Sequence, residues 1–249
     1  MLAALVLLLA LAAVFVRLGT WQLDRASERS QQAAARAAAQ LAEADPVPID
    51  EVVSPQSGIT AEMVGRRVVV AGEYGAEQYL VAEAGPDGEP GVVLLAPLFV
   101  AEGAGAGAVL PVVRGWVAGP AEDWVGERAP GGALAAPTGP VRVVGSIAGS
   151  EAALAGTGAD GTLESVSAGQ LANLWGSPIY SGYVRLELSE PAEAEPLRPA
   201  PAPAVAAGGL PLQNLAYAAQ WWVFGLFALL VWIRLLRDER ARQGASLQG

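Results

Sequence analysis

The sequence predicts a membrane protein in which two transmembrane helices flank an external β-rich (α+β) domain built as an antiparallel sandwich or barrel-like sheet. Three observations carry that expectation. Residues 1–16 bear no charge and are mostly Leu, Val and Ala. Residues 199–233 are uncharged over 35 positions. Between them, six β-branched or aromatic runs alternate with Gly- and Pro-rich breaks, the pattern of short strands joined by tight reversals. Hydrophobic residues make up 53% of the 249, so the chain can bury a core despite 30 Gly and 18 Pro. The absence of Cys and His excludes zinc fingers, thiol or Ser-His-Asp chemistry and imidazole-ligated haem. All 15 basic residues are Arg and 25 acids outweigh them, for a net charge of −10, so nucleic acid is not an expected partner.

Taken in order, residues 1–23 read as the first transmembrane helix. A cleaved signal peptide is the alternative, because the run is short and Ala10-Leu11-Ala12 resembles a cleavage site. Against it stand the missing basic n-region and a helical pattern that continues through Trp21 and Leu23. Residues 24–45 are strong helix formers without proline, which makes them a solvated helical stalk that Pro46 and Pro48 terminate. Residues 46–190 form the external domain, with strands expected at 67–72, 78–83, 92–100, 108–117, 141–147 and 180–188. The chain should reverse at Gly85-Pro86-Asp87-Gly88 and at the Gly-Ala tract 103–107, and a short helix near 167–175 should cover one face.

Residues 191–210, rich in Pro, Ala and Glu, read as an extended linker back to the bilayer. Residues 211–233 form the second transmembrane helix, since a helix from Leu212 to Ile233 rising ~1.5 Å per residue spans about 33 Å, the thickness of the hydrocarbon core. Residues 234–249 are an Arg-rich tail that the positive-inside rule assigns to the cytoplasm. The expected protein is therefore a multi-pass protein of the plasma (inner) membrane, both termini cytoplasmic and the central domain outside. Arg17, Arg25, Arg29 and Arg36 oppose this orientation, although long translocated segments often escape the rule.

Two groups of side chains stand out at the membrane surface. Helical spacing stacks Arg17, Trp21 and Arg25 on one face, which by itself is an interfacial aromatic belt with snorkelling arginines. In the second helix Gln213, Tyr217 and Gln220 recur at i, i+4 and i+7, flanked by Asn214 and Trp221. Such polar groups are unfavourable toward lipid, so the stripe should face the first helix, the domain, a partner subunit or a polar ligand; a hydrogen bond to Gln22 is the structural alternative. In the domain, Arg114 sits in a strand beside Gly115, where a cross-strand charge partner competes with a binding role. Glu89 and the pair Glu122-Asp123 lie in loops and read as solvated surface charge rather than a catalytic carboxylate pair.

Five segments in order give a more specific indication: Leu18-Gly19-Thr20-Trp21-Gln22-Leu23-Asp24-Arg25; Arg66-Arg67-Val68-Val69-Val70-Ala71-Gly72-Glu73-Tyr74; Asp87-Gly88-Glu89-Pro90-Gly91 leading to Ala96-Pro97-Leu98; Val113-Arg114-Gly115-Trp116-Val117; and Asn214-Leu215-Ala216-Tyr217-Ala218-Ala219-Gln220-Trp221-Trp222. Together they resemble the Surfeit locus protein 1 family over nearly the whole chain. The resemblance implies a chaperone-like assembly factor for haem-copper cytochrome c oxidase, implicated in placing haem a in the catalytic subunit, with no accepted catalytic reaction.

It also implies a cofactor-facing set, Trp21, Arg25, Asn214, Tyr217 and Trp221, and a partner-facing set, Gln22, Arg114, Trp116, Gln220 and Trp222. The expected partners are the oxidase catalytic subunit and the lipid bilayer. Many members carry a His at the position of Asn214, proposed to contact haem. With that His absent, haem a would be held transiently, without His ligation from this chain, through propionates on Arg17, Arg25 or Arg114 and ring packing on Trp21, Trp221 and Trp222; Tyr217 is the remaining axial candidate. The alternative is a two-span membrane sensor or scaffold whose external domain binds a small ligand or envelope component. It is disfavoured by the 16-residue tail, too short for a signalling domain.

Overall fold

The computed structural model describes residues 2–85, 87–154, 158, 161–202 and 212–246. The chain forms two compact units, Met1–Arg36 with Ala207–Gly249 and Ala37–Ala206.

The larger unit holds the sheet. Its strands are β1 (Val47–Pro48), β2 (Arg67–Tyr74), β3 (Tyr79–Ala82), β4 (Gly91–Val100), β5 (Val109–Ala118), β6 (Pro140–Gly149), β7 (Thr162–Leu163) and β8 (Gly182–Glu190). The six expected strands are all present, and the two-residue strands β1 and β7 are additions too short to leave a period in the sequence. Strand order is β1-β2-β6-β8-β5-β4-β3-β7, and β2 pairs with β4 as well, Gly72 opposite Val100 and Tyr74 opposite Leu98. The ring β2-β6-β8-β5-β4 therefore closes on itself, which removes its free edges. Every step of the ring is antiparallel except β5–β8, which is parallel.

Period-two alternation fills the ring. Val68 and Val70, Leu98 and Val100, Leu110 and Val112, Val141 and Val143, and Val184 and Leu186 come from its five strands and form one buried cluster with Ile49, Ile147 and Tyr180. Strands β4 and β5 are buried on both faces, because β3, β4 and β5 extend past the ring and carry a second core on each side. On one side the helix Ala168–Trp175 packs Leu171 against Tyr79, Val93 and Val113. On the other, residues 121–134 set Leu134 and Trp124 against Leu80, Leu94 and Val117. The reversal at 103–107 uses glycine where φ is positive, at Gly103 and Gly107. Of the other reversal, Pro86 lies outside the described residues.

α1 (Leu2–Glu43), in the smaller unit as far as Arg36, joins the first apolar run and the stalk in one helix, and a second long helix covers Leu212–Ser246. The helix Ala168–Trp175 between them is α2 and the last is α3. Both long helices are apolar and long enough to cross a membrane. Nothing after Gly19 interrupts α1 until Pro46. Just past its end Arg67 Nη1 donates to the Ala44 carbonyl at 3.0 Å, a cation placed where unpaired carbonyls accumulate. Residues 203–210 of the expected linker lie outside the described residues; residues 191–202 lie on the domain.

Candidate functional site

Helix α1 presents Ala12, Phe15, Gly19, Gln22 and Ala26 at three-four spacing, and α3 presents Ala218, Trp221, Gly225 and Ala228 in the same rhythm. These positions meet. The Phe15 ring stacks on Trp221 at 5.7 Å and lies 6.0 Å from Phe224. Gly225 approaches Ala12 and Phe15, and Gly19 lies under the Trp222 indole, into which an added Cβ would collide. Ala218, Ala228 and Ala26 are buried. The pairs Phe15 with Trp221 and Gly19 with Trp222 show that the helices run antiparallel, and small residues let the backbones come close.

That seam decides where the candidate residues point. At 100° per residue, Arg25 on α1 and Gln220 on α3 fall about 100–120° from the seam, Tyr217 nearer to it at about 60° and Trp21 further round at about 140°, all toward the same side of an antiparallel pair. The seam register places Trp21 and Arg25 level with Tyr217. All four are exposed, Tyr217 at 45% and Trp21 at 48%. Arg25 lies over the Trp21 ring at 5.6 Å, and among the described residues no ion pair engages it. On these flanks α1 exposes a cation over an indole, and α3 exposes a phenol and an amide. It can pair with a carboxylate and pack against a flat apolar ring.

The expected stripe is therefore split. Trp221 is a seam residue rather than part of an open face, and Gln22 is half-buried in the seam. Tyr217 and Gln220 turn away from α1, and among the described residues no hydrogen bond joins Gln22 to Gln220. Trp222 packs over Gly19 on the opposite flank and stays 43% exposed. The backbone at 213 and 214 is helical, but the side chains of Gln213 and Asn214 lie outside the described residues.

The structure corrects the reading of Arg114 and Trp116 as partner-facing. Arg114, in β5, is 3% exposed and uses all five of its N–H donors inside the domain. Nε and Nη2 grip the two Glu193 oxygens, Nη1 reaches Gln78 Oε1 at 2.6 Å and the Leu134 carbonyl at 3.0 Å, and Nη2 also reaches the Ala135 carbonyl at 3.2 Å. Its guanidinium also lies over the Tyr74 ring at 5.3 Å. No donor is left for a propionate. Trp116 is 1% exposed and donates from Nε1 to the Glu83 carbonyl at 3.0 Å, so it is core. The cause is shared: β5 is covered on both faces, and β-period spacing cannot reveal a second covering layer.

Other polar anchors went unread. Arg185 forks onto Glu83, and Arg67 pairs with Glu187 at 2.7 Å while Ser146 donates to the same carboxylate. The signal was present in Arg185-Leu186-Glu187-Leu188, where charges alternate with apolar residues along one strand. Burial pushes the phenols of the domain up: Tyr79 to about 12, helped by the Glu77 carboxylate that its hydroxyl meets, and Tyr180 to about 12, helped by Asp50. Tyr74 is raised chiefly by burial and then by Glu193, with Arg114 opposing. Glu89 accepts the Asp87 amide at 3.0 Å within its own turn, and among the described residues no group of His, Cys, Asp or Glu could hold a metal ion.

A closed, barrel-like five-stranded sheet flanked in the chain by two long apolar helices, its buried arginines paired with carboxylates, defines the class of this protein. The SURF1 family model matches residues 9–226, and the chain belongs to the SURF1 family. Members of that family are assembly factors rather than catalysts, and membership is consistent with a role in cytochrome c oxidase assembly. A comparison with curated proteins finds no significant match.

Proposed function

We propose that this chain is an integral membrane assembly factor for haem-copper cytochrome c oxidase. It assists haem a insertion, or stabilises the catalytic-subunit intermediate, from a hairpin of two spans. The single observation that carries the reading is the family match over residues 9–226, which takes in α1, the barrel and the exposed Trp21–Arg25–Tyr217–Gln220 face together. Were haem a to bind, Arg25 would be the residue to hold a propionate, and Trp21 and Tyr217 would offer ring surfaces for it to pack on. The donor set suits the propionates and the ring; toward the iron the chain has no imidazole or thiolate to offer, and the Tyr217 phenol is its remaining candidate. Both termini lie in the cytoplasm and the barrel lies outside the plasma membrane.

Deleting the gene tests this directly. Haem a absorbance and oxidase activity in isolated membranes should fall while other respiratory complexes persist; unchanged spectra and oxygen uptake would overturn the proposal. Complementation with Trp21→Ala or Arg25→Ala should restore the protein to the membrane but recover only a fraction of the haem a signal. The sensor reading finds no comparable support.

A further inference from the structure

Arg17 is a lone charge in the apolar part of the helix pair. From Ile233, the last residue before Arg234, the twenty residues back to Asn214 rise about 30 Å at ~1.5 Å each, the thickness of a hydrocarbon core. The α1–α3 seam carries that depth scale across to α1. Phe15 stacks on Trp221 and Gly19 lies under Trp222, so Arg17 between them is level with Trp221 and Trp222. Trp221 lies seven residues inside Asn214, which sets Arg17 about 10 Å below that boundary and about 20 Å from the other. Residues 1–23 and 212–233 hold no other charged side chain.

The helix pair does not answer this charge. With Ala12, Phe15, Gly19, Gln22 and Ala26 as the seam, Arg17 falls about 180° away at 100° per residue. It is exposed, and among the described residues no ion pair engages it. Val6, Ala10, Val14 and Trp21 are exposed on the same outward side, Val6 at 59% and Val14 at 52%. Arginines at helix ends snorkel to the headgroups, but about two turns separate Arg17 from the nearer boundary. An intramembrane arginine is costly toward lipid and is accommodated where a packed neighbour supplies an anion. A second copy of the chain has none to give at this depth. Its nearest acids are Asp24, seven residues further along α1, and Asp238, beyond Arg237. Two copies packed side by side through this face would bring their Arg17 side chains together.

We propose that the α1 face carrying Val6, Ala10, Val14, Arg17 and Trp21 docks a transmembrane helix of another protein, one that presents an Asp or Glu at the depth of Arg17. The ion pair fixes the register of the two helices, the small Ala10 lets them approach, and Val6 and Val14 pack below it. The proposal rests on the two-span reading and not on the oxidase assignment.

A defined probe tests it. The full chain is reconstituted in phosphatidylcholine vesicles with a poly-leucine transmembrane peptide carrying one Glu about two turns below its end, or Gln at the same place, and association is read by energy transfer. The Glu peptide should bind at least about tenfold more tightly than the Gln peptide. Arg17→Leu should abolish the preference, Arg17→Lys should keep most of it, and Arg17→Glu should transfer it to a peptide with Lys in place of Glu. Disulfide formation between Ala12→Cys and Gly225→Cys reports that the helix pair persists in each variant. Equal binding of the Glu and Gln peptides would overturn the proposal, as would a preference that survives Arg17→Leu. Loss of the preference when phosphatidylglycerol replaces part of the lipid would overturn it too, by assigning Arg17 to a lipid phosphate. The oxidase is absent from the assay, so this face and the assembly role stand or fall separately.

Discussion

Arg114 shows how far a single side chain can tie a fold together. Its five hydrogen bonds join β5 to the start of β3, to the loop at 134–135 and to Glu193 beyond β8. Replacing it by Met would leave Gln78 and two buried carbonyls without their donor, a loss of about 3 kcal/mol or more. Arg114→Lys should recover only part of that, because an ammonium cannot fork across so many acceptors. Denaturant unfolding of the detergent-solubilised protein measures both. The buried phenols make a second prediction. Tyr79 and Tyr180 are raised in the folded state above the model-compound value of 10.0, so the neutral form is the one that folding favours. Their contribution is complete below pH ~10 and is lost as pH rises toward about 12. Stability should be flat from neutral pH to about 10 and fall above it, with phenolate absorbance rising late and together with unfolding; phenolate growing in near pH 10 while the barrel stays folded would contradict this.

At the scale of elements, the α1–α3 seam rests on small residues under large rings. Gly19→Val places a branched side chain where the Trp222 indole lies, an overpacking change that typically costs about 1–3 kcal/mol. The measurement is disulfide formation between Ala12→Cys and Gly225→Cys, positions in contact across the seam, in a chain with no native cysteine. The pair should crosslink efficiently with Gly19 present and poorly with Gly19→Val. The helices were legible because their apolar runs are long and continuous. Which face of α3 meets α1 was not: polar groups are expected to hide from lipid, which left the Tyr217–Gln220 stripe free to face α1, the domain, a partner or a ligand. Ala218, Gly225 and Ala228, which carry no polarity signal, form it instead. Close approach is set by size, and a small residue in an Ala-rich sequence is hard to tell from background.

For the whole molecule, the proposed orientation has its own test. Protease added to intact cells or spheroplasts should cut the barrel, and inside-out vesicles should protect it; the reverse pattern would place the domain in the cytoplasm. The six long strands, their reversals and the two apolar helices could be read from the sequence because each is a local matter of periodicity and punctuation by Gly and Pro. So could the family, whose motifs lie in order along the chain. Ring closure could not, because it depends on β2 meeting β4 at Gly72 and on a parallel step between β5 and β8, contacts between residues far apart in the chain. The same long-range packing took Arg114 and Trp116 out of reach of any partner and brought Trp21, Arg25 and Tyr217 to one open side. Local sequence fixes which groups exist and which element carries them; only the covering of one element by another decides whether a given charge meets solvent, a partner or its own fold.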